Sequence, residues 1–239
     1  ADRLPEHRVL LAEPVEVERG VHRAHVTGRS ALPDRRADGR PRLVSYPFAM
    51  TFAHNGAQPK LSVLGTGYLG ATHAVAMVEL GYDVIGLDVD EAKVARLTAG
   101  DVPFFEPGLP ELLRKALDSG RLRFTTDIAE VAAFGDVHFV CTGTPQLPGG
   151  YAADLTYVEA AFSTLAPLLD RRALVVGKST VPAGTAQRMS ELVASLAPSD
   201  EVEVAWNPEF LREGFAVEDT LHPDRLVFGV QSAAAEEAL

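Results

Sequence analysis

From Lys60 onward the sequence alternates short β-rich runs with amphipathic helical stretches, and this alternation narrows the fold more than any other feature. The runs are Leu61 to Leu64, Asp83 to Leu87, Leu122 to Thr125, Val137 to Cys141, Ala173 to Gly177 and Val202 to Ala205. Between them, Leu109, Leu112, Leu113, Ala116 and Leu117 keep the spacing of one helix face. Leu155, Val158, Phe162, Leu165 and Leu169 do the same behind Asp154, the expected cap. A parallel strand pair needs a crossover element to return the chain, so repeated β-α units predict an α/β fold: a doubly wound parallel sheet with helices on both faces. In such a sheet, ligands bind at the carboxyl ends of the strands.

Charge marks a boundary near the start of this pattern. Residues 1–59 hold nine Arg against seven Asp plus Glu, while residues 60–239 hold 13 basic against 26 acidic residues, within a net charge of -11. The first segment has scattered Arg, His and Pro and no sustained apolar period, so 1–59 is expected to be irregular and 60–239 to form the domain. Glu13, Glu16 and Glu18 argue against a transit peptide, and no apolar stretch there marks a secretory signal. The longest uncharged run, Leu61 to Val78, reaches the lower limit of a membrane span, but Gly65, Gly67, Gly70, Ser62, Thr66, Thr72 and His73 interrupt it. The acidic balance repels phosphate backbones and anionic lipid, so neither nucleic acid nor a membrane is an expected partner. A single Cys excludes a disulfide framework and a Cys-rich zinc site within one chain. The cytoplasm is the expected compartment, and no metal site is expected.

The strand ends carry the candidate chemistry. Gly65-Thr66-Gly67-Tyr68-Leu69-Gly70 has the G-x-G-x-x-G pattern, for which 20 Gly in 239 positions give about 0.14 chance matches, so context must carry the assignment. The motif follows a strand, opens a helix and precedes Asp88 at the end of the next strand. In that setting Gly65 makes the tight turn, Gly67 admits a pyrophosphate and Gly70 allows helix-on-strand packing, while free amides at the helix start face the phosphates. Asp88 then accepts from the ribose hydroxyls and favours NAD over NADP. His73 shares a stripe with Leu69, Met77 and Leu80 and is expected as a satisfied histidine near the core. Cys141 is expected as a buried, inert thiol, and no function is assigned to Trp206. Thr142 and Ser179 fit a cofactor site and a helix cap equally well. Glu209 and Glu213, four residues apart beyond the last run, suit acid-base work or ligand hydroxyls, and equally a solvated turn.

The glycine motif, Phe105-Glu106-Pro107-Gly108-Leu109, Gly143-Thr144-Pro145, Lys178-Ser179-Thr180-Val181-Pro182 and Asn207-Pro208-Glu209-Phe210-Leu211-Arg212-Glu213-Gly214 occur in this order. Together they resemble the N-terminal half of the nucleotide-sugar 6-dehydrogenases over about residues 60–230. The resemblance implies a Rossmann-like NAD-binding domain and oxidation of a sugar C6 alcohol to a carboxylate in two steps with two NAD+, through an aldehyde and a cysteine-bound thioester. It places Gly65, Gly67, Tyr68, Leu69, Gly70, Asp88, Lys93, Thr144, Thr180 and Glu213 on NAD. It places Glu209, Phe210, Leu211, Arg212 and Glu213 along the nucleotide-sugar site, with Thr180 and Glu209 positioning the water or the reacting oxygen. The implied substrate is UDP-glucose, with GDP-mannose or a UDP-N-acetylhexosamine as the alternative.

In the family the nucleophilic Cys, its Lys and Asn helpers, the uridine-binding domain and the helix that pairs subunits lie beyond the position of Leu239. No Cys follows Cys141. The expectation is therefore a chain that binds NAD without completing the oxidation, that lacks the pairing helix of the family homodimer, and that exposes an apolar patch prone to association. Two other readings share the glycine loop: a non-catalytic NAD-binding module, and a two-electron dehydrogenase of the 3-hydroxy-acid kind, which does not need Asn207 to Gly214.

Overall fold

The apolar runs after Lys60 send side chains to both sides of the chain, so each needs cover on both faces. A computed structural model describes residues 8–12, as backbone, and 58–239. The elements in order are β1 (Arg8–Ala12), β2 (Leu61–Leu64), α1 (Tyr68–Glu79), β3 (Val84–Leu87), α2 (Glu91–Thr98), α3 (Leu109–Asp118), β4 (Leu122–Thr125), α4 (Ile128–Phe134) and β5 (Val137–Val140). There follow α5 (Thr156–Leu165), β6 (Ala173–Gly177), α6 (Thr185–Leu196), β7 (Val202–Trp206), α7 (Ala216–Leu221), β8 (Leu226–Val230) and α8 (Ala233–Ala238). No helix among the described residues is long and apolar enough to cross a membrane.

The sheet order is β1-β8-β7-β6-β5-β2-β3-β4. Strands β2 to β7 run parallel, with Leu61 level with Val84 on one side and with Val137 on the other. From β2 the chain winds outward through β3 and β4, then returns to β5 and winds the other way through β6 and β7. Strand order thus reverses between β2 and β5, which opens a crevice at their carboxyl ends. All six predicted runs form strands. Two further strands extend the sheet: β8 meets β7 antiparallel at Trp206 and Gly229, and β1 pairs antiparallel along β8 from Arg8–Val230 to Ala12–Leu226. The expectation of irregular chain over 1–59 otherwise falls outside the described residues.

Alternation along each strand divides the interior in two. Leu61, Val63, Val84, Val137, Phe139, Leu174 and Val176 pack under α1 and α3 with Ala71, Ala74, Val75, Leu109 and Leu113. Leu64, Ile85, Leu87, Val140, Val175 and Val204 pack on the other face with Val131, Val158, Phe162, Leu165, Met189 and Val193 of α4, α5 and α6. Phe162 is fully buried and its ring stacks 5.9 Å from that of Trp206, which ties α5 to β7. Truncating a buried Phe of this kind costs about 3–5 kcal/mol. Asp154 sits one residue before the capping position, which is Leu155, and its carboxylate accepts the Thr156 amide at 2.9 Å.

Two buried histidines remain neutral inside this interior. His73 packs edge-on against Phe139 at 4.4 Å, but neither ring nitrogen has a hydrogen-bond partner among the described residues, so the predicted packing is present and the predicted satisfaction is not found there. His138 Nδ1 lies 2.7 Å from Ser62 Oγ, and burial, then the charge of Arg171, brings its pKa down to about 3. In the unfolded chain the imidazole takes a proton near its ordinary value of 6.5. Between those two values the unfolded state binds a proton that the folded state refuses. Stability therefore falls as pH falls through this window, by up to about 1.4 kcal/mol per pH unit for one group. His73, lowered by burial and by Lys178, acts in the same direction. Thermal unfolding followed from pH 7 down to pH 5 should show a falling midpoint, and His138→Gln should flatten that slope. Equal slopes in the two proteins would contradict the assignment.

Candidate functional site

The loop from β2 to α1 lies at the strand-order reversal, and its three glycines meet different demands. Gly65 has φ of +89°, and a Cβ there would also lie 3.2 Å from the Thr142 backbone. A Cβ on Gly70 would sit 1.9 Å from the Gly65 carbonyl oxygen, so α1 reaches the sheet only because that atom is missing. Among the described residues, a Cβ on Gly67 meets nothing within 4 Å. Gly67 therefore faces open space at the start of α1. Gly67 is also the capping residue, and no side chain caps the helix, so the first amides of α1 remain available to an anion.

Asp88 ends β3 beside this loop and is 7% exposed. Its Oδ2 accepts the Thr66 amide at 2.9 Å, the Thr66 hydroxyl at 3.2 Å and the Lys93 ammonium at 2.8 Å, and its Oδ1 accepts the Asp90 amide at 3.1 Å. Burial opposes its ionisation, but Lys93 and the two amides outweigh this and hold the carboxyl below its ordinary range. Asp88 is thus a brace for the glycine loop, with free acceptor capacity mainly on Oδ1. Lys93 is placed by α2, whose cap Asp90 accepts the Lys93 amide at 3.1 Å.

The ends of β5, β6 and β7 are tied to one another. Thr144 Oγ1 donates to the Thr180 carbonyl at 3.0 Å, and Ser179 Oγ donates to the Thr142 carbonyl. Neither Thr142 nor Ser179 caps a helix, which removes that alternative. The Thr142 hydroxyl is buried without a partner among the described residues. Trp206 Nε1 donates to the Ser179 carbonyl at 2.9 Å. Lys178, only 7% exposed, donates from Nζ to Asn207 Oδ1 at 2.7 Å, and Asn207 Nδ2 donates to the Val227 carbonyl at 2.9 Å. Burial lowers the Lys178 pKa, while Cys141 and Glu209 oppose that shift. Neither Lys178 nor Asn207 was singled out from the sequence, although both stand in quoted motifs; a lysine inside an apolar strand end was the available signal. Cys141 is buried, and burial raises its thiol to about 12, which makes it a poor nucleophile.

Beyond β7, Glu209 is half-buried and its Oε1 accepts the Leu211 amide at 2.6 Å. Arg212 pairs with Asp219, at 3.0 Å from Nε and 2.6 Å from Nη2. Phe210 is exposed, with the Arg225 guanidinium 5.7 Å from its ring, and Glu213 is exposed. Gly214 donates its amide to the Tyr68 hydroxyl at 3.1 Å, which brings the Glu213 end of this segment to the glycine loop. Tyr68 in turn donates to Glu106, a buried carboxylate. Burial first, then Glu106, holds the Tyr68 phenol at about 12, so it remains a donor. The structure thus joins Tyr68 to the 209–214 segment, Thr66 and Lys93 to Asp88, and Thr144 to Thr180. No hydrogen bond joins Thr180 to Glu209 among the described residues.

Residues 59–239 match the family model described as the UDP-glucose/GDP-mannose dehydrogenase family, NAD binding domain. The chain is 43% identical over 174 residues to the UDP-glucose 6-dehydrogenase of Rhizobium meliloti, covering 73% of this chain and 40% of that protein. It is 42% identical over 184 residues to the UDP-glucose 6-dehydrogenase of Pseudomonas aeruginosa, covering 75% and 40%. Among solved structures, a UDP-glucose dehydrogenase from Pyrobaculum islandicum superposes with a TM-score of 0.72 at 44% identity, over 78% of this chain and 45% of that one. The GDP-mannose dehydrogenase from Pseudomonas aeruginosa gives 0.64 at 35%, over 67% and 38%. The chain spans about 40% of the length of the curated relatives it matches. A doubly wound sheet with an open glycine cradle at its reversal point and this family match through residue 239 together make the chain a member of the UDP-glucose/GDP-mannose dehydrogenase family, carrying its NAD-binding domain, with NAD as cofactor.

Proposed function

We propose that this chain is the cofactor-binding half of a UDP-glucose 6-dehydrogenase, and the observation that carries the reading is the open space at Gly67 before the uncapped start of α1. The residues there fit NAD: amides of Gly67, Tyr68 and Leu69 face the pyrophosphate, Gly65 and Gly70 shape the loop, and Asp88 Oδ1 with Lys93 meets the adenosine ribose. Thr144, Thr180 and Glu213 contact the cofactor further along the crevice. When bound, NAD+ supplies the hydride acceptor. Glu209 to Glu213 line the nucleotide-sugar site, and Thr180 with Glu209 positions the water or reacting oxygen. Arg212 serves this segment through its pair with Asp219, which fixes the turn that carries Glu209 and Glu213.

Identity supports UDP-glucose over GDP-mannose: 42–43% to the two UDP-glucose 6-dehydrogenases against 35% to the GDP-mannose enzyme. The thioester step of this chemistry needs a thiolate, and Cys141 does not supply one. These 239 residues are therefore proposed to bind NAD+ without turning it over. Calorimetric titration with NAD+ and then UDP-glucose, with NADH absorbance followed in the same samples, tests this. Binding without NADH is the expected result. Sustained NADH formation would overturn the proposed inactivity, and absence of NAD+ binding would overturn the reading itself.

Two sets of substitutions test the site. Asp88→Ala should weaken NAD+ binding by about 1–3 kcal/mol through loss of charge-assisted hydrogen bonds, with the far-ultraviolet circular dichroism unchanged. Unaltered affinity would remove Asp88 from the site. Gly67→Val adds side-chain atoms to open space in an extended backbone and should block NAD+ while the protein stays folded. Gly70→Ala drives a methyl into the Gly65 carbonyl and should lower thermal stability as well. Equal effects of the two glycine variants on stability would refute this division of roles.

A further inference from the structure

One motif among those noted in the sequence has no part in the reading so far: Phe105-Glu106-Pro107-Gly108-Leu109, on the connection between α2 and α3. Glu106 is 2% exposed, and its carboxylate is far in sequence from the groups that donate to it. Its Oε2 accepts the Tyr68 hydroxyl and the Gly214 amide at 3.0 Å, and its Oε1 accepts the Val217 amide at 3.3 Å. Tyr68 Oη also accepts the Gly214 amide, at 3.1 Å, and the Tyr68 ring lies edge-on to Phe104 at 5.2 Å. One carboxylate thus joins three stretches of chain: the glycine loop, the α2–α3 connection, and the end of the 209–214 segment where it enters α7.

No cation pairs with Glu106 among the described residues. The donors that the carboxylate meets there are neutral, and a desolvated carboxylate held this way resists any shift that would break those bonds. Tyr68 is the first residue of α1 and directly follows Gly67, so a displacement of the helix start moves the phenol. The phenol cannot move alone, because Glu106 and Gly214 share its oxygen.

We infer that Glu106 is a positioning residue that couples cofactor occupancy of the glycine loop to the arrangement of the Glu209–Gly214 segment. The inference rests on NAD binding at the glycine loop and deepens it: the loop that holds the cofactor and the segment that carries Glu209 and Glu213 are set by one buried carboxylate. A glutamine cannot replace it. Its amide has one acceptor oxygen for donors that now use two, and its NH2 group faces the N–H of Val217 or Gly214, donor against donor.

The test is amide hydrogen exchange of the 239-residue chain with and without saturating NAD+, together with NAD+ titration. NAD+ should slow exchange in residues 65–80 and also in 209–217. In Glu106→Gln, the dissociation constant for NAD+ should rise about tenfold, equivalent to one lost charged hydrogen bond, and the NAD-dependent protection of 209–217 should vanish while that of 65–80 persists. A merely structural carboxylate would loosen both regions equally, with or without cofactor. Tyr68→Phe removes only the shared oxygen and leaves the Glu106 bonds to Gly214 and Val217. It should produce the same split in a native fold, and it carries the test if Glu106→Gln does not fold. Retained affinity and retained protection of 209–217 in the folded variants would overturn the inference. Wild-type chain that binds NAD+ without protecting 209–217 would overturn the coupling alone, and wild-type chain that binds no NAD+ would overturn both the coupling and the site reading.

Discussion

The carbonyl oxygen of Gly65 lies 1.9 Å from where a Cβ on Gly70 would be, and much of the candidate site depends on that approach. It lets the first turn of α1 sit directly on the end of β2. The helix is then held by Ala71, Ala74, Val75 and Val78 against Leu61, Val63, Val84 and Val137. Its start is thereby aimed at the crevice between β2 and β5, and Tyr68 is carried toward α7. A larger residue at position 70 would lift α1, and with it the amides of Gly67 to Leu69 would leave the strand ends. On the proposed reading, position, more than residue chemistry, makes those amides an anion site.

Around this contact the protein uses buried charges as braces. Asp88 holds the Thr66 end of the glycine loop, Glu106 holds Tyr68 and Gly214, and Lys178 with Asn207 holds the ends of β6 and β7 to Val227 of β8. Each is at least nine-tenths buried and each makes hydrogen bonds across long stretches of sequence. Burying such a group is unfavourable unless its bonds are complete, so an incomplete arrangement is penalised more steeply than a misplaced apolar contact. A packed interior tolerates small repacking, whereas a carboxylate with three fixed donors has one geometry that satisfies it. This fits a cofactor site, where an offset of an ångström matters and where loops would otherwise set the geometry.

The parallel sheet was legible because β2, β3, β5 and β6 are buried on both faces and so read as mostly apolar runs, interrupted by polar residues only at Ser62 in β2 and His138 in β5, and α3 and α5 because their stripes recur at helical spacing. The glycine loop was legible because its spacing is local. The use made of Asp88 was only half legible: its place at the end of β3 could be read, but Thr66 and Lys93 already occupy Oδ2, a three-dimensional fact. Glu106 was visible in a motif and silent in role, since its partners Gly214 and Val217 lie over a hundred residues away. The antiparallel pairing of β8 was not legible, because its single register point with β7 follows an irregular stretch and a short helix. His73 shows the same limit in reverse: a helical stripe predicts that a side chain is covered and says nothing about whether its nitrogens find partners.

The domain must hold a dinucleotide pyrophosphate although the chain carries a net charge of -11. At physiological salt the screening length is about 8 Å, so most of that charge is not felt at the glycine loop. On the proposed reading, what the phosphates meet is local: the partial positive charge of an uncapped helix start. Asp88, bonded to the Thr66 amide of that loop, has its charge offset by Lys93 and by amides, so it repels a diphosphate less than its formal charge suggests. A 2'-phosphate on the ribose would instead approach Asp88 directly, where Lys93 is already committed. On the proposed reading, the same ion pair that quiets Asp88 toward the pyrophosphate leaves no free cation on that carboxylate for a second phosphate, and a preference for NAD over NADP would follow from the partner of Asp88 as much as from Asp88 itself.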